Sequence, residues 1–363
     1  MKQIGIIIGD ISRSRGTERA ATNLANMLSV SKKYQVTIIS CFTNNNQESY
    51  YTLENSVNII HCGIEKKGFV SRITHYFTFY KKLISIIKQY KIDIFIGTTH
   101  AFNIIISFFH KRLITIGCEH MKYYACPIYS RIIRRIRYQF LDAVVVLTER
   151  DGKNYRFLNK EVLYNIPNSL SFTVDEPAKL INKRILAVGG LSYEKGYDEL
   201  VIMAKTIKKQ LPDWHIDIFG EGEEKENLLK QIKKLSLDDY ITFHLPTKNI
   251  REEYLQSSIY VLTSRFECFP MVLLEAQECG VPVVAFDCEY GPSDLVDDDS
   301  SGFLIENRNY DDFVAKLIKL AINSELRKEF GLNAKKNAYK YNSIEIFKKW
   351  DNLINILIIK KQN

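Results

Sequence analysis

Residues 260–276 read YVLTSRFECFPMVLLEA, and this stretch decides the fold. An apolar strand pattern ends at Thr263, a short polar loop carries Glu267, and an apolar helical pattern begins at about Pro270. Proline is well tolerated in the first turn of a helix, because the amide that it lacks would have no intrahelical partner there. The stretch therefore predicts a strand, a loop and a helix in direct succession, which is the repeating unit of proteins with parallel sheets.

The same alternation of short β-branched runs and longer helical patterns continues on both sides of this unit. In the first half of the chain, strands are predicted near Gly5–Gly9, Gln35–Ser40, Val57–His61, Asp93–Gly97, Leu113–Gly117, Ala143–Leu147 and Val162–Ile166. In the second half, they are predicted near Arg184–Val188, His215–Phe219, Ile241–His244, Ile259–Thr263, Pro282–Phe286 and Gly302–Ile305. The pattern predicts an α/β fold with two Rossmann-like units.

The length of the chain also favours two domains. Its 363 residues are more than twice the size of a common domain. A polar stretch without clear periodicity follows Asn168, and we place the interdomain linker there. A second boundary is predicted near residues 341–343, where Ser343 can cap a final helix that runs through Trp350 to Ile359.

The charge of the chain is unevenly distributed. The formal net charge is +8, with 50 basic and 42 acidic side chains. Residues 1–168 hold 24 basic and 11 acidic side chains, a net +13, and the remaining residues carry a net −5. A basic surplus suits nucleic acid, an anionic membrane or an acidic small molecule.

The cysteines and the apolar segments of the sequence indicate the cellular compartment of the protein. The seven cysteines are scattered and show no metal-ligand spacing, so a reducing cytoplasm fits best. The apolar run at the start of the chain is too short for a signal peptide, and no run reaches the length of a membrane span. We expect a cytoplasmic protein whose contact with a membrane, if any, is peripheral.

The helix that follows Pro270 predicts an anion site. The free amides of Met271 and Val272 at its first turn would attract a phosphate, with Glu267 and Glu275 on either side. An ordinary structural explanation stays open, in which Glu267 only neutralises Arg265 and Glu275 is a solvated helix residue.

Two further turns follow predicted strands at the edge where open α/β sheets bind ligands. In residues 188–196, Gly189 and Gly190 allow a close approach of the backbone, and Lys195 is a point charge suited to a diphosphate. After the first strand, Arg15 and Gly16 precede a helix in another anion-facing turn. A plain turn with an exposed lysine explains the first of these equally well.

Three weaker signals complete the set. His120, in the pair Glu119-His120, is the histidine that we place in a cleft, although a core imidazole is the alternative. Residues 220–222 form a G-x-G that we interpret as a tight turn, since its acidic neighbours would repel phosphate. Asp297 to Asp299 contain a D-x-D that could suggest Mg²⁺ but is more typical of a solvated turn.

In this order, and over nearly the whole chain, these fragments resemble the retaining glycosyltransferases of family 4. Members of that family carry G-x-E-R, E-H, I-P-N-x, G-R-L…K-G, G-x-G, S-x-x-E-G-F-P…E-A…G-x-P-V-V and G-P-x-[DE]-L-V elements. The corresponding stretches here are 16–19, 119–120, 166–169, 189–196, 220–222, 264–284 and 291–302. The resemblance is specific because several weak motifs coincide.

The resemblance implies a GT-B fold with two facing Rossmann-like domains. Residues 1–168 would form the acceptor-side domain, and the final helix, 343–363, would cross back to it. Residues 169–342 would form the domain that binds the nucleotide sugar.

The resemblance also implies roles for individual residues. Glu267 would contact hydroxyls of the donor sugar, Glu275 would bind the ribose, and Lys195 would neutralise the departing diphosphate. The remaining donor-binding positions are Arg15, Gly16, Gly190, Arg265, Phe269, Pro270, Met271 and Val272, and His120 joins Glu267 and Lys195 as a catalytic position. Such enzymes need no metal, because side chains and a helix dipole stabilise the leaving group.

Three residues depart from the family pattern. Gly190 replaces the arginine that usually partners the lysine, Cys268 replaces a glycine, and Arg15 replaces the first of two glycines. Loss of one cation should weaken the binding of the diphosphate. We hypothesise that Arg15 or Arg265 supplies the missing charge.

The resemblance predicts retaining transfer of a hexose or an N-acetylhexosamine from a UDP-sugar to a lipid-linked saccharide, as in bacterial surface-polysaccharide synthesis. A soluble or small-molecule acceptor is the first alternative, and a non-enzymatic nucleotide- or nucleic-acid-binding protein is the second. The glycine fingerprint of nicotinamide-dependent enzymes is absent after the first predicted strand. Nucleic acid is not expected, because no reader motif occurs and the second half is acidic.

Two basic segments of the first half leave a choice open. Arg72–Lys91 mixes aromatic residues with cations at helical spacing, and Arg131, Arg134, Arg135 and Arg137 crowd the next candidate helix. A solvated face explains both segments. Docking on an anionic leaflet beside a polyprenyl-diphosphate-linked acceptor explains them as well.

Overall fold

The computed structural model describes residues 1–44, 47–64 and 72–362, and for residues 72–77 it describes the backbone alone. The chain divides into two compact units. Unit 1 contains residues 1–169 and 343–363, and unit 2 contains residues 170–342. Each unit is built on one parallel sheet.

The sheet of unit 1 has seven parallel strands in the order β3-β2-β1-β4-β5-β6-β7. These strands are β1 (Lys2–Ile8), β2 (Tyr34–Ser40), β3 (Asn58–His61), β4 (Ile94–Gly97), β5 (Ile114–Cys118), β6 (Ala143–Val146) and β7 (Leu163–Asn165). The accompanying α-helices are α1 (Gly16–Val30), α2 (Arg72–Gln89), α3 (His100–Ile106), α4 (Ile128–Arg137) and α5 (Glu149–Gly152). The central strands are apolar and β-branched because helices cover the sheet on both faces.

The sheet of unit 2 has six parallel strands in the order β10-β9-β8-β11-β12-β13. They are β8 (Arg184–Val188), β9 (His215–Phe219), β10 (Ile241–His244), β11 (Ile259–Leu262), β12 (Val283–Asp287) and β13 (Gly302–Glu306). The helices are α6 (Tyr197–Gln210), α7 (Lys225–Lys234), α8 (Ile250–Leu255), α9 (Met271–Glu278), α10 (Pro292–Leu295), α11 (Tyr310–Ile322) and α12 (Ser324–Ala338). The strand order reverses between β8 and β11, which makes that point the topological switch of the sheet.

The last helix, α13 (Ser343–Gln362), belongs to unit 1 although it follows unit 2 in the chain. Its apolar side joins the core of unit 1, which includes Ile4, Ile38 and Leu28 from β1, β2 and α1. The side chains that it buries there are Ile346, Trp350, Leu353, Ile354 and Leu357. The polypeptide therefore completes its first unit with its last segment.

The predicted fold class is confirmed. All thirteen predicted strands are present, with ends that differ from the prediction by three residues at most. The predicted final helix is present and includes Ser343, its expected cap, as its first residue. The helix expected at about Pro270 begins one residue later, with Pro270 as its N-cap. Within the described residues, no helix is long and apolar enough to cross a bilayer.

Candidate active site

The loops after β8 and β11 contain the motifs that the sequence singled out in unit 2. These strands are direct neighbours in the sheet, so their carboxyl ends open at the switch point. Open α/β sheets bind ligands at this point, because the connections of the two strands diverge and leave a crevice. Residues 189–196 and 263–270 therefore meet where a ligand site is expected.

Close backbone contacts fix these two loops to each other. The amide of Arg265 donates to the carbonyl oxygen of Glu194 over 2.7 Å, and the hydroxyl of Thr263 donates to the carbonyl oxygen of Lys195 over 3.1 Å. Gly196 has a φ of +64°, and a Cβ at this position would lie 2.2 Å from the carbonyl oxygen of Thr263. Only glycine satisfies both conditions, so the fold holds Lys195 and the 264–267 loop in a fixed relation.

Lys195 and Glu267 form an ion pair at this junction. The ammonium Nζ of Lys195 lies 2.7 Å from Oε1 of Glu267, and the hydroxyl of Ser264 donates to the same oxygen over 2.7 Å. The side chain of Glu267 is 9% exposed and that of Lys195 is 26% exposed. Among the residues that the structure describes, no hydrogen bond reaches Oε2 of Glu267. This oxygen is an acceptor for ligand hydroxyls, and the ammonium has further N–H donors for an anion.

The first turn of α9 lies directly after this loop. Within the described part of the chain, the amides of Met271 and Val272 donate no hydrogen bond, whereas the amide of Leu273 donates to the carbonyl oxygen of Pro270 over 2.9 Å. Unpaired amides at a helix start carry a partial positive charge. Met271 and Val272 can therefore bind an anion through their backbone, and they follow Glu267, the partner of Lys195, by four and five residues.

Arg265 is engaged by neighbouring carboxylates. Its guanidinium donates two hydrogen bonds to Asp198, at 2.9 and 2.7 Å, and forms an ion pair with Glu199. The guanidinium also lies over the ring of Tyr193, 4.1 Å from the centroid, and hydrogen bonds to Asp198 raise the pKa of Arg265. A contact between Arg265 and a diphosphate would require these pairs to break, so the geometry does not favour Arg265 as the missing cation.

Glu275 and Phe269 are buried in unit 2. The carboxylate of Glu275 is fully buried and accepts hydrogen bonds from Ser171, at 2.8 Å, and from Tyr254, at 3.2 Å. The alternative that Glu275 is a solvated helix residue is therefore wrong. Phe269 packs against Tyr341 with ring centroids 5.9 Å apart. The ribose contact of Glu275 stays a prediction, and its carboxylate already holds protein donors.

The glycines near the site differ in their surroundings. A Cβ at Gly220 would lie 1.9 Å from the carbonyl oxygen of Gly189, so the G-x-G turn is required by close packing of two loops. Gly190 is exposed, and a Cβ there would have only the carbonyl oxygen of Glu221 nearby, at 3.7 Å. Cys268 has no positive φ, so its side chain strains no backbone. Position 190 therefore has room for a larger side chain.

In unit 1, Arg15 and Gly16 precede the body of α1 at the carboxyl end of β1. Both residues are exposed, Arg15 is the N-cap, and a Cβ at Gly16 would have nothing within 4 Å. The chain itself therefore does not require glycine at position 16. Glu18, in the first turn of the helix, is buried, and burial raises its pKa.

His120 follows β5 and lines a small pocket within unit 1. The wall of this pocket includes Leu24 of α1, Asn168 before the unit boundary and Trp350 of α13. Burial lowers the pKa of the His120 imidazole to about 4. The imidazole is therefore neutral near pH 7 and is a hydrogen-bonding group without charge.

Sequence reasoning missed the buried charged network around Glu119, the residue before His120. Arg134 is fully buried, and its guanidinium donates to Glu119 over 2.8 Å and to the hydroxyl of Tyr155. Glu119 also accepts hydrogen bonds from Asn103, at 3.0 Å, and from Tyr138. The prediction that groups Arg134 with a surface run of arginines is wrong. No local pattern in the sequence signals this burial, because Glu119 and Tyr155 are 15 and 21 residues away along the chain.

The predicted D-x-D is part of a turn. Oδ1 of Asp298 accepts the amides of Asp299, at 3.0 Å, and Leu304, at 2.9 Å. Within the described ranges, no group of three or more His, Cys, Asp or Glu side chains has the arrangement of a metal site. The solvated-turn interpretation of this segment agrees with these hydrogen bonds.

Known proteins resemble the chain over its whole length. Residues 174–337 match the family model described as glycosyl transferases group 1. The amylovoran biosynthesis glycosyltransferase AmsD of Erwinia amylovora is 33% identical over 98% of this chain and 100% of its own. A Campylobacter jejuni α-1,4-N-acetyl-D-galactosaminyltransferase, named for the acceptor GalNAc-α-(1→4)-GalNAc-α-(1→3)-diNAcBac-PP-undecaprenol, is 28% identical over 98% of each chain.

A solved structure supports the fold. The crystal structure of a TarM variant from S. aureus, in complex with UDP, α-GlcNAc-glycerol and fondaparinux, aligns with a TM-score of 0.82. The alignment covers 98% of this chain and 100% of that chain, at 16% sequence identity. At this identity the similarity establishes the fold, which is GT-B, and gives no information about the ligands of this chain.

Proposed function

The chain belongs to the glycosyl transferases group 1, and we propose that it transfers a hexose or an N-acetylhexosamine from a UDP-sugar to a lipid-linked saccharide, with retention of configuration. This reaction would place it in family 4 and in the synthesis of a bacterial surface polysaccharide. The names of the E. amylovora and C. jejuni relatives support the polysaccharide pathway and the lipid-linked acceptor. The UDP bound by TarM supports the choice of nucleotide.

The observation that carries the proposal is the Lys195–Glu267 pair at the switch point of unit 2. It combines an ammonium that suits a diphosphate with a carboxylate oxygen, Oε2, that can accept sugar hydroxyls. The amides of Met271 and Val272 add positive charge on the adjoining helix start. A sugar joined to a diphosphate presents these two chemistries side by side, hydroxyl donors on one part and an anion on the other.

We assign the following roles in the reaction. The bond between the anomeric carbon and the diphosphate oxygen breaks while the acceptor hydroxyl bonds to the same face of that carbon. The hydroxyl proton passes to the departing phosphate oxygen, so no protein base is needed. Lys195 and the amides of α9 stabilise the negative charge of the leaving diphosphate, and this is why we propose that no metal is required. Glu267 orients the sugar and does not attack it, unlike the paired carboxylates of retaining glycosidases.

Residues of unit 1 keep predicted roles. The neutral imidazole of His120, the open position at Gly16 and the exposed Arg15 are assigned to the donor from the resemblance. Arg15 is our candidate for the cation that Gly190 lacks, because Arg265 is already paired with Asp198. We propose a cytoplasmic protein, bound peripherally at the membrane that carries its acceptor.

The test is transfer from a panel of UDP-sugars to a lipid-linked acceptor fraction, with EDTA present throughout. We expect one UDP-sugar to be used, the product to keep the donor's anomeric configuration by NMR, and EDTA to have no effect. Glu267→Gln should abolish transfer, whereas the matched variant Glu226→Gln, an exposed carboxylate on α7, should not. Inversion of configuration, or a covalent sugar on Glu267, would contradict the mechanism. Transfer to a soluble saccharide alone would replace the acceptor by the first alternative.

A further inference from the structure

The outer face of α4 is an exposed apolar surface. Eight of the 23 exposed large hydrophobic side chains in the described part of the chain lie within residues 121–140. They are Met121, Tyr124, Ile128, Tyr129, Ile132, Ile133, Ile136 and Phe140. Ile128 is 68% exposed and Ile136 is 59% exposed, so these side chains are not the rim of a core. Soluble proteins usually scatter such residues singly, and a contiguous group of them marks an interaction surface.

Cations surround this apolar surface, and acidic residues are absent from it. Residues 120–141 contain Lys122 and four arginines but no aspartate or glutamate. Arg134 points into the core, whereas Arg135 is exposed and Arg131 and Arg137 are half-buried. Arg137 lies over the ring of Phe108, 3.8 Å from its centroid, and Arg131 lies over Tyr124 at 5.3 Å. Apolar side chains, aromatic rings and guanidinium groups thus share one face.

The described part of α2 has the opposite arrangement. Its apolar residues Phe79, Leu83 and Ile86 are buried in the core of unit 1, and Lys81 and Lys88 are exposed. This is an ordinary solvated helix face. The predicted basic and aromatic segment 72–91 also includes side chains at 72–77, which lie outside the described residues. A solvated face therefore explains the described part of α2, whose apolar side chains are packed in the core. It does not explain α4, whose isoleucines are exposed.

We propose that α4 docks on an anionic membrane surface, with its isoleucines below the lipid headgroups and its arginines on lipid phosphates. The choice of a lipid surface rests on the lipid-linked acceptor of the proposed function. The helix has ten residues, too few to span a bilayer, so it lies in the plane of the interface as short amphipathic helices do. Interfacial helices of this kind combine an apolar face with Lys or Arg on the polar face.

Charge argues against a second copy of the chain as the occupant. A twofold dimer brings the same patch of each subunit together, and here that would place arginines against arginines, with no carboxylate within residues 120–141 to pair them. An anionic bilayer supplies the missing negative charge over its whole surface. The density of like charge on α4 therefore favours lipid over self-association.

Flotation of the full-length chain with vesicles tests the proposal. We expect the wild type to float with vesicles that contain phosphatidylglycerol at low salt, to float less at high salt, and to stay unbound with pure phosphatidylcholine. No flotation on the anionic vesicles at low salt overturns the proposal. Sedimentation velocity provides the alternative outcome. If the wild type does not float, is a dimer, and is dissociated by substitutions on α4, the surface belongs to a contact with a second copy instead.

Variants on the two units provide the matched comparison. The double substitution Ile132→Ser/Ile136→Ser removes two exposed apolar side chains, and we expect the bound fraction to fall about tenfold or more. The control Ile202→Ser/Leu332→Ser removes two similarly exposed side chains of unit 2, 52% and 56% exposed, and should bind as the wild type does. Equal binding of the wild type and the α4 variant overturns the proposal. Should the α4 variant fail to fold, Arg131→Gln/Arg135→Gln tests the same surface and should lose the salt-dependent part of the binding.

Glycosyl transfer to a detergent-solubilised acceptor, measured on the same samples, separates this inference from the proposed function. Flotation without transfer supports the docking surface and overturns the function. Transfer without flotation supports the function and overturns the docking surface.

Discussion

At the scale of single residues, the proposed function of unit 2 would depend on how Lys195 distributes its hydrogen bonds between Glu267 and a ligand. One N–H is directed to Glu267, and that contact leaves the partly exposed ammonium able to meet an anion with its other donors. The contact also places the positive charge 2.7 Å from the carboxylate that we propose to bind the sugar. Because the ion pair holds the two side chains in place, the groups proposed to bind the diphosphate and the sugar would be oriented before either ligand binds.

Lys195→Met should reduce turnover with the native donor by about a hundredfold or more, because the leaving diphosphate loses its cation. The free energy of unfolding should also fall by about 1–3 kcal/mol, since Glu267 would be left nearly buried without its partner. Steady-state kinetics and urea unfolding measure the two effects. Lys205→Met, which removes an exposed lysine of α6, should change neither, and a turnover of Lys195→Met close to the wild-type value contradicts the assigned role.

Gly190→Arg should strengthen the binding of UDP by about tenfold, which corresponds to about 1.4 kcal/mol. The position is exposed and has only one atom near a would-be Cβ, so the new side chain fits without strain and adds a cation beside Lys195. Calorimetric titration with UDP measures the change, and Gly190→Ala is the control that adds bulk without charge. Equal affinity of the arginine and alanine variants would show that position 190 does not face the diphosphate.

The pocket at His120 makes the stability of the protein depend on pH. Burial lowers the pKa of His120 to about 4, whereas an imidazole in the unfolded chain titrates near pH 6.5. Between these values the unfolded chain binds a proton that the folded chain does not. The free energy of unfolding therefore does not depend on His120 protonation above about pH 6.5. Below that pH it falls progressively, by about 1–3 kcal/mol as the pH approaches 4.

Urea unfolding at pH 7 and at pH 5 tests this dependence. The wild type should lose more stability than His120→Gln does over this interval, and His110→Gln, a substitution outside the pocket, should behave as the wild type. Parallel losses in the wild type and His120→Gln would mean that the imidazole is protonated in the folded state.

At the scale of secondary-structure elements, α4 has two faces with different surroundings. Its inner face holds Arg134 in the network of Glu119 and the tyrosines, and Glu119 directly precedes His120. Its outer face holds the exposed isoleucines. The helix that we propose to dock on lipid is therefore joined through the buried Arg134–Glu119 ion pair to the residue before a predicted catalytic position.

Arg134→Leu should destabilise the protein by about 3–5 kcal/mol, because Glu119 would remain buried with no cation to compensate it. The double variant Glu119→Leu/Arg134→Leu should recover much of this loss, since no buried charge is left unpaired. Thermal unfolding measures both, and Arg135→Leu is the control for loss of an exposed arginine on the same helix. A double variant no more stable than Arg134→Leu would show that packing around the guanidinium, and not charge, determines the effect.

The elements that the sequence predicts well are those whose signal is local. The strand β8 was predicted with its observed ends, because a buried parallel strand is a continuous apolar and β-branched run. The burial of Arg134 depends on Glu119 and Tyr155, which are 15 and 21 residues away, so no local pattern reports it. Glu275 follows the same rule, since its partner Ser171 is 104 residues distant. The order of the motifs along the chain predicted which loops form the candidate site. Only the folded structure shows that Glu267 and Glu275 already have protein partners there.

At the scale of the whole molecule, assigning α13 to unit 1 sharpens the division of charge. Unit 1 contains 28 basic and 13 acidic side chains, a net +15, and unit 2 contains 22 and 29, a net −7. The proposed diphosphate site therefore lies in the acidic unit, and its affinity must come from local groups such as Lys195. Binding of UDP should depend only weakly on salt, whereas docking on anionic lipid should weaken strongly as salt is added, because exposed and spread charges are screened most.

Truncation after Asn342 tests the role of α13 in the architecture. The truncated chain keeps all of unit 2 but removes from unit 1 five buried side chains, each worth about 1.5–3 kcal/mol of burial. We expect hydrogen exchange to show unfolding of unit 1 and protection of unit 2, with UDP still stabilising unit 2 against heat. Removal of residues 360–363 alone is the control, because Lys360 and Lys361 make only exposed contacts. Loss of protection in unit 2 as well would mean that the two units fold as one, and an intact unit 1 would mean that its sheet holds its core without the final helix.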